Sequence, residues 1–486
     1  MKKPFYITTT LPYVNAAPHI GFALELVQAD AIVRSQRLRG SEVIFNMGVD
    51  EHGVKILHAA EHAGVSPQAY VDEYAAKFQA LQAALDTSWT NFIRTTDAHH
   101  IRAAQEFWQR CVAAGDIYKD SYSIKYCNGC ELEKTDSELV DGVCPLHPSM
   151  VIEIIDEENY FFRWSKYQQP LLDLYDAHPE FVVPASRLGE IRSFVASGLK
   201  DFSISRRADK MPWGVPVPGD PDHVMYVWFD ALVNYISTLG WPDEQSDYAT
   251  YWPGVQVAGK DNLRQQSAMW QAMLMSANLP NSKQIFIHGF IMGEGGVKMS
   301  KSLGNVVDPY EAVRRFGTDA VRWFLLGEIH PTEDSEFSWS RFSEAYSGHL
   351  AKGLGNFVAR TLKMAESAGA LFAAPPEPES FWAEDARAQE IGVLLDQFRF
   401  NDAIARIWDE IRIGDKFINE TEPYRKIATE PEQAKKDISV LLQRLADIAC
   451  LLTPFMPNTA AAILGSLREG ITLPAPLFPR IGEETV

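Results

Sequence analysis

The chain has no apolar run near the roughly eighteen residues that a bilayer-spanning helix needs, which excludes a helical membrane anchor. It also lacks a signal-type apolar opening: Met1-Lys2-Lys3-Pro4 leads straight into a strand-like segment, so the expected location is the cytosol. Positive charge is in short supply. Lysine and arginine number 45 against 64 aspartates and glutamates, a net charge of −19. Such a chain does not coat DNA, which needs a basic field, although a local basic patch can still take a specific RNA. Cysteine is scarce too. Only five occur in 486 residues, and three of them, Cys127, Cys130 and Cys144, fall together. In a cytosolic chain that clustering favours metal over disulfides. No internal repeat occurs, and the one disordered stretch expected is a short tail from about 478. With 46% hydrophobic and 22% charged residues, the composition is that of a soluble globular protein, long enough for two to four domains.

Residues 5–10 are aromatic and β-branched and predict a strand. A loop with two prolines runs from Leu11 to Gly21, and a helix over 22–39 stops at Gly40. Residues 42–47 predict a second strand, so strand, helix and strand open a parallel α/β sheet. Helical character continues to about 116. Short strands and turns fill the stretch to 224, and strand signals return at Met225–Val227, Val255–Ala258 and Gln284–His288. The expected architecture is a split Rossmann-type sheet from 1–116 and 225–293, interrupted by an inserted domain at 117–224. A segment at 294–345 follows, then an α-helical bundle at 346–477 and a tail at 478–486. Ile404, Ile407, Trp408 and Ile411 carry the helical spacing of the bundle. Amphipathic patterns cover 385–412 and 434–452, with a loop at 368–379.

Two segments carry chemistry. Pro18-His19-Ile20-Gly21 lies at a strand-to-helix junction, where unpaired N–H groups and the helix dipole attract phosphate. His19 adds a donor and Gly21 admits a close ligand; the bland reading of such a histidine is a helix cap. Lys298-Met299-Ser300-Lys301-Ser302 follows Gly293-Glu294-Gly295-Gly296 and makes a glycine-led cationic loop, suited to charge developing on a triphosphate. A third cluster joins Cys127-Asn128-Gly129-Cys130 to Cys144-Pro145-Leu146-His147 across thirteen residues. This spacing fits a tetrahedral Cys₃His zinc site, one zinc per chain, structural because the protein supplies all four ligands. Cys111 and Cys450 sit in helical patterns and are expected to be buried and inert.

The first two segments resemble the paired signature motifs of class I aminoacyl-tRNA synthetases, HIGH and KMSKS in one-letter code. One departure stands out: Phe22 replaces the last histidine of the first motif. Leu11-Pro12-Tyr13-Val14-Asn15, Tyr226-Val227-Trp228-Phe229-Asp230-Ala231 and His288-Gly289-Phe290 are similar to the methionyl members, and the single zinc knuckle fits that group. The resemblance covers nearly the whole chain. It implies a methionine–tRNA ligase that uses ATP and Mg²⁺, forms methionyl-adenylate and pyrophosphate, and charges tRNA(Met). His19, Lys298 and Lys301 would be catalytic. Gly21, Gly259, Asp261 and Ser300 would join them in holding ATP. Leu11, Tyr13, Trp228, Ala231, Tyr235 and His288 would line the methionine pocket, with Tyr13 or His288 offering the sulfur a weak hydrogen bond, and Asp50 would hold the ammonium group. Leu232 stands where some relatives carry proline. Asn356, Arg360 and Tyr424 would read the anticodon, the last in place of the usual tryptophan. A monomer is expected, because the chain ends soon after the bundle. Two other readings compete: a class I synthetase for leucine, isoleucine, valine or cysteine, and a catalytically inert tRNA-binding relative, suggested by Phe22. The space between His19 and Lys298 leaves little room for the editing insert of the branched-chain enzymes, and no cysteine set lies near Trp228 or His288.

Overall fold

A computed structural model describes residues 2–480, except 131, 135, 300–303, 371, 373, 470–472 and 474. Its centre is a six-stranded parallel sheet. In chain order the strands are β1 (Pro4–Thr8), β2 (Glu42–Val49), β3 (Asn91–Arg94), β4 (Val182–Val183), β5 (Val255–Gly259) and β6 (Gln284–His288). Their order across the sheet is β3-β2-β1-β5-β6-β4. The strand order reverses between β1 and β5, where an α/β sheet opens a crevice at its C-terminal edge. The split sheet is therefore as expected, with two additions. β3 lies inside the stretch expected to be helical, and β4 is an edge strand supplied by the inserted domain, pairing Ile285 with Val182.

Neighbouring residues on a strand face opposite sides of the sheet, so the core falls into two bodies. Ile7, Val257 and Phe286 point into one, shared with helix α1 (Ile20–Leu38) and the C-terminal helices. Tyr6, Ala258, Ile285 and Ile287 point into the other, shared with the helix Ala98–Ala113 and the inserted domain.

The inserted domain is built on two long antiparallel strands, Ile117–Cys127 and Ile152–Phe162, longer than the short strands expected. The signal at Met225–Val227 does not belong to the central sheet. Met225 ends the strand Asp220–Met225 of a separate three-stranded sheet, and Val227 opens a short helix, Val227–Ala231. After the sheet, a helical run continues without a break from Trp339 through Ala368, so the boundary expected at 345/346 falls inside it. The pattern at 385–412 is two helices, Ala386–Asp396 and Phe400–Thr421, separated at Phe398, whose φ is +58°. The expected tail begins as a packed segment: Phe478 is buried and Tyr346 donates to the Pro479 carbonyl.

Candidate active site

The crevice is a cavity of about 440 Å³, ringed by segments that leave the C-terminal ends of β1, β2, β5 and β6. Of the residues singled out in the sequence, Leu11, Tyr13, His19, Gly21, Asp50, Trp228, Gly259, Asp261, His288 and Lys298 line it. Ser300 and Lys301 lie outside the described residues. Ala231 and Tyr235 are buried behind the wall rather than on it. The Tyr235 hydroxyl is held by Gln266 Nε2 at 2.5 Å, and burial pushes its pKa up.

The loop after β1 closes one side. It is zipped to the segment after β2: Asp50 N–H donates to the Pro12 carbonyl (3.0 Å) and Val14 N–H to the Asp50 carbonyl (3.2 Å). Tyr13 Oη donates to the His52 carbonyl at 2.6 Å, so its hydroxyl is already committed. His19 is the N-cap of α1, its Nδ1 accepting from Gly21 N–H at 3.1 Å. The bland reading of His19 as a cap is what the geometry shows, and the residue also lines the cavity. With Nδ1 accepting, the proton sits on Nε2, a donor at the helix N-terminus.

His288 lines the cavity with both ring nitrogens engaged. Its Nε2 faces Glu25 Oε2 at 3.0 Å and its Nδ1 faces the Gly289 carbonyl at 2.8 Å. Burial works against its charge, but the Glu25 carboxylate outweighs burial and raises the pKa. Both nitrogens are spent, so neither is offered to a sulfur. The unpartnered donor on this wall is the indole N–H of Trp228, which has no hydrogen bond among the described residues. Glu25, which also holds Thr10 N and Oγ1, was not singled out in the sequence. A signal existed: Glu25, Gln28 and Asp30 interrupt an apolar helix and are all buried.

Opposite, β6 leads to Phe290, whose ring lies under Lys298 Nζ (4.7 Å) and Lys260 Nζ (4.5 Å). Lys298 is carried by a tight hairpin, Ile291–Gly293 against Val297–Lys298, whose turn needs positive φ at Gly295 and Gly296. Gly259 ends β5 beside Asp261; a Cβ there would meet Asp261 Oδ1 at 2.8 Å.

The cysteine cluster overhangs the same cavity, with Cys130 on its wall. The ligand atoms of Cys127, Cys130, Cys144 and His147 all lie within 4.8 Å of one another. Cys130 Sγ is 3.4 Å from Cys144 Sγ and 3.3 Å from His147 Nδ1. Gly129 is required by this packing, because a Cβ would come within 2.3 Å of the His147 ring. Burial, then Lys55, Lys298 and Lys134, lowers the His147 pKa and keeps the ring neutral, as a metal ligand must be. The four groups can hold a metal ion in a tetrahedral set. Lys55, from helix α2 (Val54–Ala63), donates to the Gly129 carbonyl at 2.9 Å and ties this knuckle to the cavity rim. Cys111 and Cys450 are buried as expected, and burial pushes both thiols up to about 12.

Outside the cavity lining, Asn356 and Arg360 lie one turn apart on the helix Gly355–Ala368, and Arg360 meets Asp415 at 3.3 Å. Tyr424 opens the helix Pro423–Thr429 and is exposed. Among the described residues no helix is long and apolar enough to cross a membrane.

The crevice thus has a capped helix N-terminus on one side, a cationic hairpin on the other and a helical domain behind, the place where open α/β sheets bind ligands. The profile for "tRNA synthetases class I (M)" matches residues 5–151 and 137–362, and that for the "Anticodon binding domain of methionyl tRNA ligase" matches 380–475. The chain is 41% identical to the methionine–tRNA ligase of Thermosynechococcus vestitus, over 99% of its own length and 93% of that protein's. It is 39% identical to that of Mesorhizobium japonicum, over 99% of both. The Mycobacterium tuberculosis methionyl-tRNA synthetase in complex with methionyl-adenylate superposes with a TM-score of 0.89 at 37% identity, covering 98% of this chain and 99% of that one. The chain belongs to the methionyl-tRNA synthetase family.

Proposed function

We propose that the cavity binds ATP and methionine side by side and joins them. A methionine carboxylate oxygen bonds to the α-phosphorus of ATP and pyrophosphate leaves. The terminal ribose hydroxyl of tRNA(Met) then takes the methionyl group and AMP leaves. No residue forms a covalent intermediate; the site works by positioning and by charge. The observation that carries the reading is that one cavity collects both halves of the chemistry. His19 at the α1 N-terminus, Gly21, Gly259, Asp261 and Lys298 suit a nucleotide, and Ser300 and Lys301, of the same sequence motif as Lys298, are proposed to join them. Leu11, Tyr13, Asp50, Trp228 and His288 suit an amino acid with an apolar side chain. Ala231 and Tyr235 support that wall from behind.

Asp50 offers a carboxylate to the substrate ammonium. Trp228 offers its indole face and N–H to the thioether, a soft group that packs well on aromatic edges. Mg²⁺ accompanies the triphosphate. Cys127, Cys130, Cys144 and His147 would hold one zinc, which would fix the knuckle over the cavity. Asn356, Arg360 and Tyr424 would meet unstacked anticodon bases. Methionine-dependent exchange between ATP and pyrophosphate tests the first step, and charging of tRNA(Met) tests the second. Exchange that is faster with leucine or isoleucine than with methionine overturns the assignment.

A further inference from the structure

Asp230 does not line the cavity, and its side chain is wholly buried. Each carboxylate oxygen meets one histidine: Oδ2 lies 2.6 Å from His52 Nδ1, and Oδ1 lies 2.8 Å from His100 Nε2. Both rings are buried as well. The far nitrogen of His100 reaches Ser237 Oγ at 2.9 Å, away from the cavity. Burial works to raise the Asp230 pKa, but the two histidines hold it at about 2, so the group is a carboxylate. A carboxylate buried in this way is a poor stability device, since the cost of its desolvation offsets most of what its partners supply. What it does fix is relative position.

His52 follows Asp50 by two residues, in the segment zipped to the loop after β1, and its own carbonyl receives the Tyr13 hydroxyl. Trp213 of the inserted domain donates to the Glu51 carbonyl at 2.6 Å and packs edge-on against the His52 ring. Asp230 stands two residues after Trp228 on the helix Val227–Ala231. One carboxylate therefore ties the segment that carries Asp50, with the Tyr13 loop hydrogen-bonded to it, to the helix that carries Trp228. The nucleotide side of the cavity hangs on other elements: α1, the end of β5 and the Lys298 hairpin.

We infer that the Asp230–His52 pair is a positioning device for amino-acid recognition, setting Asp50 and Tyr13 against Trp228, while His100 only anchors the carboxylate from behind. This rests on the proposed reading of the cavity. The test is steady-state ATP–pyrophosphate exchange with the purified full chain. Asp230→Asn keeps the shape and removes the charge. The methionine KM is expected to rise about tenfold or more while the ATP KM stays within about threefold, about 1.4 kcal/mol falling on one substrate only. His52→Gln should show the same split, and it decides the matter if Asp230→Asn does not fold. His100→Gln should lower the melting temperature yet leave the methionine KM within about threefold, a difference that a purely structural cluster would not produce. Equal shifts in both KM values, or equal effects of the His52 and His100 variants, overturn the inference. Asp50→Ala separates the two levels. If it leaves the methionine KM unchanged, the reading of the cavity fails and this inference with it. If it raises that KM while Asp230→Asn and His52→Gln do not, the inference alone fails.

Discussion

The ring of Phe22 is almost fully buried, edge-on to Phe78 at 5.5 Å between centroids, with one side on the cavity wall. Position 22 thus adds apolar surface where the family motif has a histidine, and the charged apparatus around it is present. One neutral donor to a phosphate contributes about 1–3 kcal/mol. Phe22→His is therefore expected to change the exchange rate by about tenfold or less in either direction. His19→Ala should cost clearly more, because it removes the Nε2 donor and also the α1 cap, itself worth about 1 kcal/mol. Exchange rates of the two variants against the parent check this; a native chain with no exchange, restored by Phe22→His, would reverse the order. At this scale the motif residues could be read from the sequence because their types and spacing are local. Glu25 could not be assigned a role in the same way. Its partner His288 is 263 residues away, and only the fold brings them within 3.0 Å.

Two elements carry their own tests. The knuckle is held by four side chains converging within 4.8 Å. Elemental analysis should give about one zinc per chain, and Cys130→Ser should lose it together with several degrees of melting temperature. Metal-free protein with unchanged melting counts against the site. On the helix Gly355–Ala368, Arg360 is outside the cavity lining and is braced by Asp415. Arg360→Ala should raise the tRNA KM in charging by about tenfold, the scale of one lost charged RNA contact, and leave exchange within about twofold. Loss of both steps together would place Arg360 elsewhere in the mechanism. Elements were legible where one pattern ran long enough: β1, α1, β2 and the helix Pro431–Leu452 lie close to their predicted spans, whereas the pattern at 385–412 hid a break at Phe398. They were missed where context overrode local preference. Tyr226-Val227-Trp228-Phe229 has strand composition, but burial on several sides folds Val227–Ala231 as a short helix. β3 and β4 are only four and two residues long, too short to show a period.

At the scale of the whole molecule, Arg322 joins the parts. It is fully buried, pairs with Asp30 of α1 at 2.8 Å, and donates to the carbonyls of Leu85, Pro454 and Phe455. Removing it leaves Asp30 with Arg34 and Ser88 and takes the donor from three buried carbonyls, so Arg322→Met should cost about 3 kcal/mol in a denaturant melt. Burial works to raise the Asp30 pKa, but Arg322 and Arg34 bring it below the ordinary carboxylate value. A depressed carboxyl pKa contributes stability that is complete above the unfolded value of about 3.9 and is lost as pH falls through the folded one. The melting temperature should therefore hold from neutral pH to about pH 5 and drop in more acidic buffer; a flat profile down to pH 3 would remove Asp30 from the account. The divided core has one more consequence. The body that contains Ile7 and Val257 of the sheet runs unbroken to Leu445 and Phe478 of the helical domain, and Phe286 of β6 stacks on Phe398 at 4.4 Å. Among the described residues, one continuous core joins the residues proposed to face an adenylate to those proposed to face an anticodon. Such a core would act as a caliper of fixed span: an RNA that reached one jaw would need the right length to fill the other.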